Sequence, residues 1–144
     1  MYFVDNGWRV FSFDCTGSHE SEGKGTIGLP QSVLDLNAAL SYIESDSSLD
    51  DLPVMLYGHS WGGYAVAAVL NYGHDITAAA SIAGFNAPMG ILFERATKMM
   101  GAFAYVEYPF LWACQTRLFG HVARLTEVDG INSLSTAMMI IHGT

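Results

Sequence analysis

Apolar positions along this chain change their period several times, and each change marks a different element. Val33, Leu36, Leu40 and Ile43 recur every three or four residues between Pro30 and about Ser45, which puts them on one face of a helix. Pro30 suits the first turn, because proline has no N–H to lose there. Shorter and denser apolar runs predict strands. Arg9-Val-Phe-Ser-Phe-Asp14 is β-prone and stops in the turn-rich Thr16-Gly-Ser-His-Glu-Ser-Glu-Gly23. Pro53-Val-Met-Leu-Tyr57 follows an acidic loop, Asp46 to Asp51, and Ala78 to Ala83 and Ala137-Met-Met-Ile-Ile141 supply two more such runs. Tyr64 to Tyr72, rich in Ala, Val and Leu and stopped by Gly73, reads as a buried helix.

Strands alternating with helices predict an α/β fold, a mostly parallel, doubly wound sheet with helices on both faces. The stretch from Asn86 to about Gly130 is too long for a single crossover, so residues 86–130 are expected to form a helical insertion within one domain spanning 1–144. It carries Met89, Leu92, Phe93, Met99, Met100, Phe103, Tyr105, Tyr108, Phe110, Leu111 and Trp112. Such a load fits helices packed on the sheet or a cap over a pocket lined by adaptable Met and aromatic side chains; the cap is the expectation.

Composition narrows the field. With 51% hydrophobic and 14% charged residues, 144 residues suffice for one packed core. The balance of 14 acidic against 6 basic side chains, with no Lys/Arg cluster, makes nucleic acid a poor partner. Ile76 to Phe93 runs without a charge, but Gly84, Asn86, Pro88 and Gly90 interrupt it, so no membrane span is expected. The first residues lack a basic head before a long apolar run, which argues against a signal peptide and makes a cytoplasmic location the expectation. Cys15 and Cys114 form no CxxC pair and are expected to be buried free thiols. His19, Glu20 and Glu22 cluster in one loop without a second spaced ligand set, and they read as solvated, as do His74 and His121. Neither a metal nor a cofactor is expected.

The chemistry concentrates in Gly58-His59-Ser60-Trp61-Gly62, a G-x-S-x-G pattern followed by Gly63. An apolar strand runs into it and a small-residue helix leaves it, which is the strand–turn–helix context the pattern needs. The serine then sits on a sharp, strained turn at the carboxyl end of the sheet, with glycines at 58 and 62 where side chains would collide with their neighbours. A serine hydroxyl needs a histidine to take its proton and a carboxylate to orient that imidazole. The backbone N–H of Trp61, at the positive end of the new helix, is aimed to stabilise an oxyanion. His59 adjoins the nucleophile and reads as an elbow-packing residue rather than the base.

Three motifs in this order resemble landmarks of the α/β-hydrolase superfamily: Asp14-Cys-Thr-Gly-Ser-His-Glu-Ser-Glu-Gly23, Gly58-His-Ser-Trp-Gly-Gly-Tyr64 and Ile140-Ile-His-Gly-Thr144. The resemblance spans nearly the whole chain outside the insertion. It implies an α/β-hydrolase sheet incomplete at both ends: the family's first three strands, with the loop giving a second oxyanion N–H, would precede Met1. The triad acid and histidine would lie beyond Thr144. Asp75 or Asp129 with His142 would satisfy the family's order of serine, acid and histidine, but the expected positions argue against an internal triad.

The expected activity is therefore that of a serine hydrolase cleaving carboxylic esters through an acyl-enzyme, on a small-molecule substrate with an apolar group. A serine peptidase is the alternative, because the elbow is also similar to that of prolyl-oligopeptidase-like enzymes acting on amides. A third possibility is a non-catalytic fragment or pseudo-enzyme that only binds.

Overall fold

From Gly63 to Leu70 every residue is buried, and the rest of the chain packs around that segment. The computed structural model describes residues 2–49, 51–133 and 135–143; Asp50 of the acidic loop and Thr144 of the last motif lie outside them. The elements in chain order are α1 (Tyr2–Asp5), α2 (Gln31–Ser45), β1 (Met55–His59), α3 (Trp61–Ala68), β2 (Ala78–Ile82), α4 (Pro88–Met100), α5 (Phe103–Phe119), α6 (Glu127–Ser133) and β3 (Ala137–Ile141). Short 3-10 segments, Val69–Tyr72 and Gly120–Arg124, extend α3 and α5.

The three strands form a parallel sheet in the order β1-β2-β3, with Met55 level with Ala78 and Ala78 level with Ala137. Parallel strands need crossovers, and α3 provides the first while α4 to α6 occupy the second. Side chains alternate across the sheet. Leu56 and Ala79 join the core beneath α3, with Met138 packed beside them, whereas Tyr57 and Met139 in the next row are exposed. The described helices α2, α3 and α6 gather on the same side, since α2 and α6 both pack on α3. On α2, Val33 and Leu40 are buried against this core and Leu36 is packed at its margin, so the predicted periodicity is the packed face. No described helix is long and apolar enough to cross a membrane.

The α/β architecture agrees with the sequence, but four local expectations do not. Arg9–Asp14 forms no strand: it faces Pro53–Tyr57 across a cavity of about 750 Å³ instead of hydrogen-bonding to it. β-propensity gives a strand only when a neighbour completes the ladder, and β1 is paired on its β2 side alone among the described residues. The strand expected at Pro53–Tyr57 is displaced to Met55–His59, and the helix expected from Tyr64 starts three residues earlier at Trp61. Cys114 is exposed and Cys15 half-buried, so the thiols are free but not core residues. The 86–130 stretch folds as α4, α5, a 3-10 segment and the start of α6, with Met89 buried and Met99, Met100, Phe103, Tyr105 and Phe110 exposed.

Burial separates the positions that hold this fold from those that do not. Leu70→Ala, at a residue 1% exposed, is expected to cost about 2–5 kcal/mol through lost burial and a residual void. Phe110→Ser, at a residue 73% exposed, is expected to stay within about 0.5 kcal/mol of the parent. Urea unfolding of the two variants against the parent measures both differences.

Candidate active site

Ser60 is the single residue between the end of β1 and the start of α3. Its N–H donates to the Ile82 carbonyl at 2.7 Å, so the chain is still tied to β2 as it turns. Its own carbonyl accepts the Tyr64 N–H at 3.1 Å, which is already the first bond of the helix. One residue thus belongs to both elements, and it does so at φ 54°, ψ −111°. A non-glycine residue at such angles costs about 1–3 kcal/mol and persists only where its surroundings impose it. The result is an exposed Ser60 at the carboxyl edge of the sheet.

The imposing contacts are backbone against backbone. A Cβ on Gly58 would overlap the carbonyl oxygen of Gly62, which holds β1 and α3 at a separation only glycine allows. Gly62 itself has open space at its Cβ position, so the expectation that this glycine is needed for room is corrected. The crowded position is Gly63, where a Cβ would come within 2.9 Å of both the Gly84 Cα and the Ser81 hydroxyl. The strand-to-helix turn is therefore squeezed from β1 on one side and from the end of β2 on the other.

The backbone N–H of Trp61 has no acceptor among the described residues, as befits the first turn of a helix. The Trp61 indole donates to the Leu29 carbonyl at 2.7 Å and so fixes this side chain against the loop before α2. His59 is exposed at the end of β1, and neither His59 nor His142 has a hydrogen bond to Ser60. His142 follows β3 at the sheet level of Ser60 and Ala83, with its Nδ1 2.9 Å from the Gly143 carbonyl oxygen. Asp75 precedes β2 and lies at the opposite, amino edge of the parallel sheet. Asp129 is in α6, where its carboxylate accepts the Thr126 hydroxyl at 2.6 Å and its N–H donates back to that hydroxyl. His19 is 3.7 Å from Asp14 in an exposed loop, and His74 is bracketed by Glu44 at 2.8 Å and Asn37 at 2.9 Å.

The acid that does reach the elbow went unnoticed in the sequence. Glu127, the first residue of α6, accepts a hydrogen bond from the fully buried Ser81 hydroxyl at 3.1 Å. A Cβ on Gly84 would overlap this carboxylate. Tyr64 stacks on Phe85 with ring centroids 5.0 Å apart and donates its hydroxyl to the Leu125 carbonyl at 3.1 Å. Burial pushes the Tyr64 hydroxyl far above the usual phenol range. Burial also pushes the Glu127 carboxyl above its ordinary 4.5, against the opposing pull of the Ser81 hydrogen bond and the His142 ring. No local spacing signals Glu127; only its arrival beside Ser81, 46 residues away, gives it a role.

Three outcomes follow from this geometry. Gly58→Ala and Gly63→Ala are expected to destabilise by about 1–3 kcal/mol or more through overpacking, whereas Gly62→Ala is expected to be neutral or to gain about 0.5–1 kcal/mol of helix stability; thermal unfolding ranks them. Ser60→Gly is expected to be about 1 kcal/mol more stable than Ser60→Ala, because glycine relieves the backbone strain. A carboxyl whose folded pKa is raised contributes stability below its unfolded pKa and loses it as pH rises through the folded value. Wild type is therefore expected to lose stability relative to Glu127→Gln as pH rises above the ordinary Glu value of 4.5, read from melting temperatures of the two proteins below and above it.

A family model described as "Serine aminopeptidase, S33" matches residues 1–129. No curated protein and no solved structure matches the chain.

Proposed function

The chain belongs to the serine aminopeptidase S33 family of the α/β-hydrolase superfamily, and from that premise we propose that it is a serine hydrolase with Ser60 as nucleophile. The observation that carries the reading is the strained, exposed Ser60 turn, at φ 54°, directly followed by the unpaired N–H of Trp61. Strain of this kind, held by backbone contacts that forbid a side chain at 58 and 63, is what a turn needs to present one hydroxyl clear of its neighbours.

In the proposed reaction Ser60 Oγ gives up its proton to a general base as it bonds to the substrate carbonyl carbon. The carbonyl oxygen becomes an oxyanion that accepts from the Trp61 N–H, at the positive end of α3. On collapse the protonated base gives its proton to the leaving oxygen, so the alcohol departs and an acyl-enzyme remains; water, losing a proton to the same base, opens the ester, and that proton returns to Ser60 Oγ as the acid leaves. Gly58, His59, Gly62 and Gly63 form the elbow in this reading, and no cofactor enters it.

Carboxylic esters with an apolar group are the proposed substrates, with residues 86–130 as a cap. That stretch leaves β2 at its carboxyl end, level with the end of β1, and so starts on the Ser60 side of the sheet. Its return is tied to α3 through Tyr64 and Leu125, and its partly buried Phe93 packs edge-on against Tyr105 and Tyr108. An aminoacyl amide is the second reading, favoured by the description of the matching family. The acyl-enzyme chemistry is common to both, and the leaving group alone distinguishes them.

Incubation of the full-length protein, with the triad acid and histidine that the resemblance places beyond Thr144, with a fluorophosphonate probe followed by peptide mapping is expected to find the label on Ser60 and to lose it in Ser60→Ala. Turnover of a nitrophenyl ester is expected to exceed that of an aminoacyl nitroanilide, and Ser60→Ala is expected to lower it on the order of 10⁴-fold or more. Faster amide turnover selects the peptidase reading. A well-folded protein that takes no label and turns over neither substrate overturns the enzymatic reading.

A further inference from the structure

Glu127, Ser81, Gly84 and Gly63 form a compact knot directly behind the nucleophile turn, and the reaction proposed above makes no use of it. The Ser81 hydroxyl is wholly buried, donates to the Glu127 carboxylate at 3.1 Å, and stands where a Cβ on Gly63 or Gly84 would have to go. Gly63 lies in the first turn of α3, and Ser81 is the β2 residue before Ile82, whose carbonyl holds the Ser60 N–H. Whatever fixes Ser81 therefore fixes the strand end from which Ser60 is suspended and the surface on which the first turn of α3 rests.

The same carboxylate belongs to the segment returning from the 86–124 excursion. The Glu127 N–H donates to the Asn86 carbonyl at 2.9 Å, so entry and exit of that excursion are joined at the knot. Behind it a Cβ on Gly130 would overlap the Ala67 carbonyl, which seats α6 flush on α3. A carboxylate at this place is costly in itself, since it is half-buried and burial disfavours its charged form. The Ser81 hydrogen bond is the compensating contact its position supplies.

We propose that Glu127 is a positioning residue for Ser60: through its bond to Ser81 it locks the end of β2 against the first turn of α3. The seating of the 86–124 excursion and the setting of the nucleophile turn then become one mechanical unit. The inference rests on the reading of Ser60 as nucleophile for its catalytic meaning, but its structural content is independent of it.

The test uses the full chain as wild type, Glu127→Ala, Ser81→Ala and Glu127→Gln, because a glutamine oxygen can still accept the Ser81 hydroxyl. Amide hydrogen exchange by NMR is read at Ser60 and Tyr64, whose N–H groups hold the turn, with Leu56 as the reference. Glu127→Ala and Ser81→Ala are expected to raise exchange at Ser60 and Tyr64 by about tenfold or more while Leu56 changes less than about threefold, and Glu127→Gln is expected to stay near wild type. Unchanged exchange at Ser60 and Tyr64, an equal rise at Leu56, or failure of Glu127→Gln to preserve the wild-type pattern overturns the proposal. Fluorophosphonate labelling of the same proteins separates the two readings. Slower labelling in Glu127→Ala, restored in Glu127→Gln, supports the catalytic role. A wild type that takes no label removes the nucleophile reading alone and leaves the exchange rates to decide on Glu127.

Discussion

The close approach of three backbone segments around residue 60 is the constraint on which the structure turns. β1 touches α3 where Gly58 meets the Gly62 carbonyl, and α3 touches the end of β2 where Gly63 meets Gly84 and Ser81. Each contact is shorter than a side chain would permit. Together they leave Ser60 no relaxed conformation, because its N–H is committed to the sheet and its carbonyl to the helix. The strain at φ 54° is therefore a consequence of packing on both sides, held in place by the burial of α3.

That burial explains why such a turn can be afforded by a small core. Gly63 to Leu70 are enclosed by the sheet, α2 and α6. Most of these side chains are small, which lets the helix sit low on the strands, and Val69 and Leu70 belong to the same core cluster as Ile76 and Val122. The energy that fixes the turn is distributed along α3, while the chemistry proposed for it sits at Ser60, just before the helix begins. A helix end is well suited to this division: its interior is held by packing, and its opening N–H groups stay free to meet a developing negative charge.

Residues 86–124 extend this economy outward. They leave and rejoin the sheet's carboxyl side through Asn86, Leu125 and Glu127, each hydrogen-bonded into the elbow region or across its base. The polar groups at this base, Ser81, Glu127 and the Tyr64 hydroxyl, all have partners, which is the condition for polar atoms to be tolerated beside a core. Farther out the demands relax, and Met99, Tyr105 and Phe110 lie on the surface.

The amphipathic face of α2 could be read from Val33 and Leu40, and the elbow from Gly58 to Gly63, because both depend on neighbours within a few residues. Helical spacing puts the apolar side chains of α2 on one face whatever lies opposite, and a strand that must become a helix within one residue declares itself by glycines and small side chains. The family resemblance of those motifs carried the α/β architecture with it. The fate of Arg9–Asp14 could not be read in the same way, since a β-prone run becomes a strand only where a second strand stands beside it. Nor could the need for glycine at 63 rather than 62, or the meeting of Glu127 with Ser81, be found in any local pattern. Those were decided when segments distant in the chain came to share one small volume, where the room for a methyl group or the reach of one hydroxyl depends on every neighbour at once.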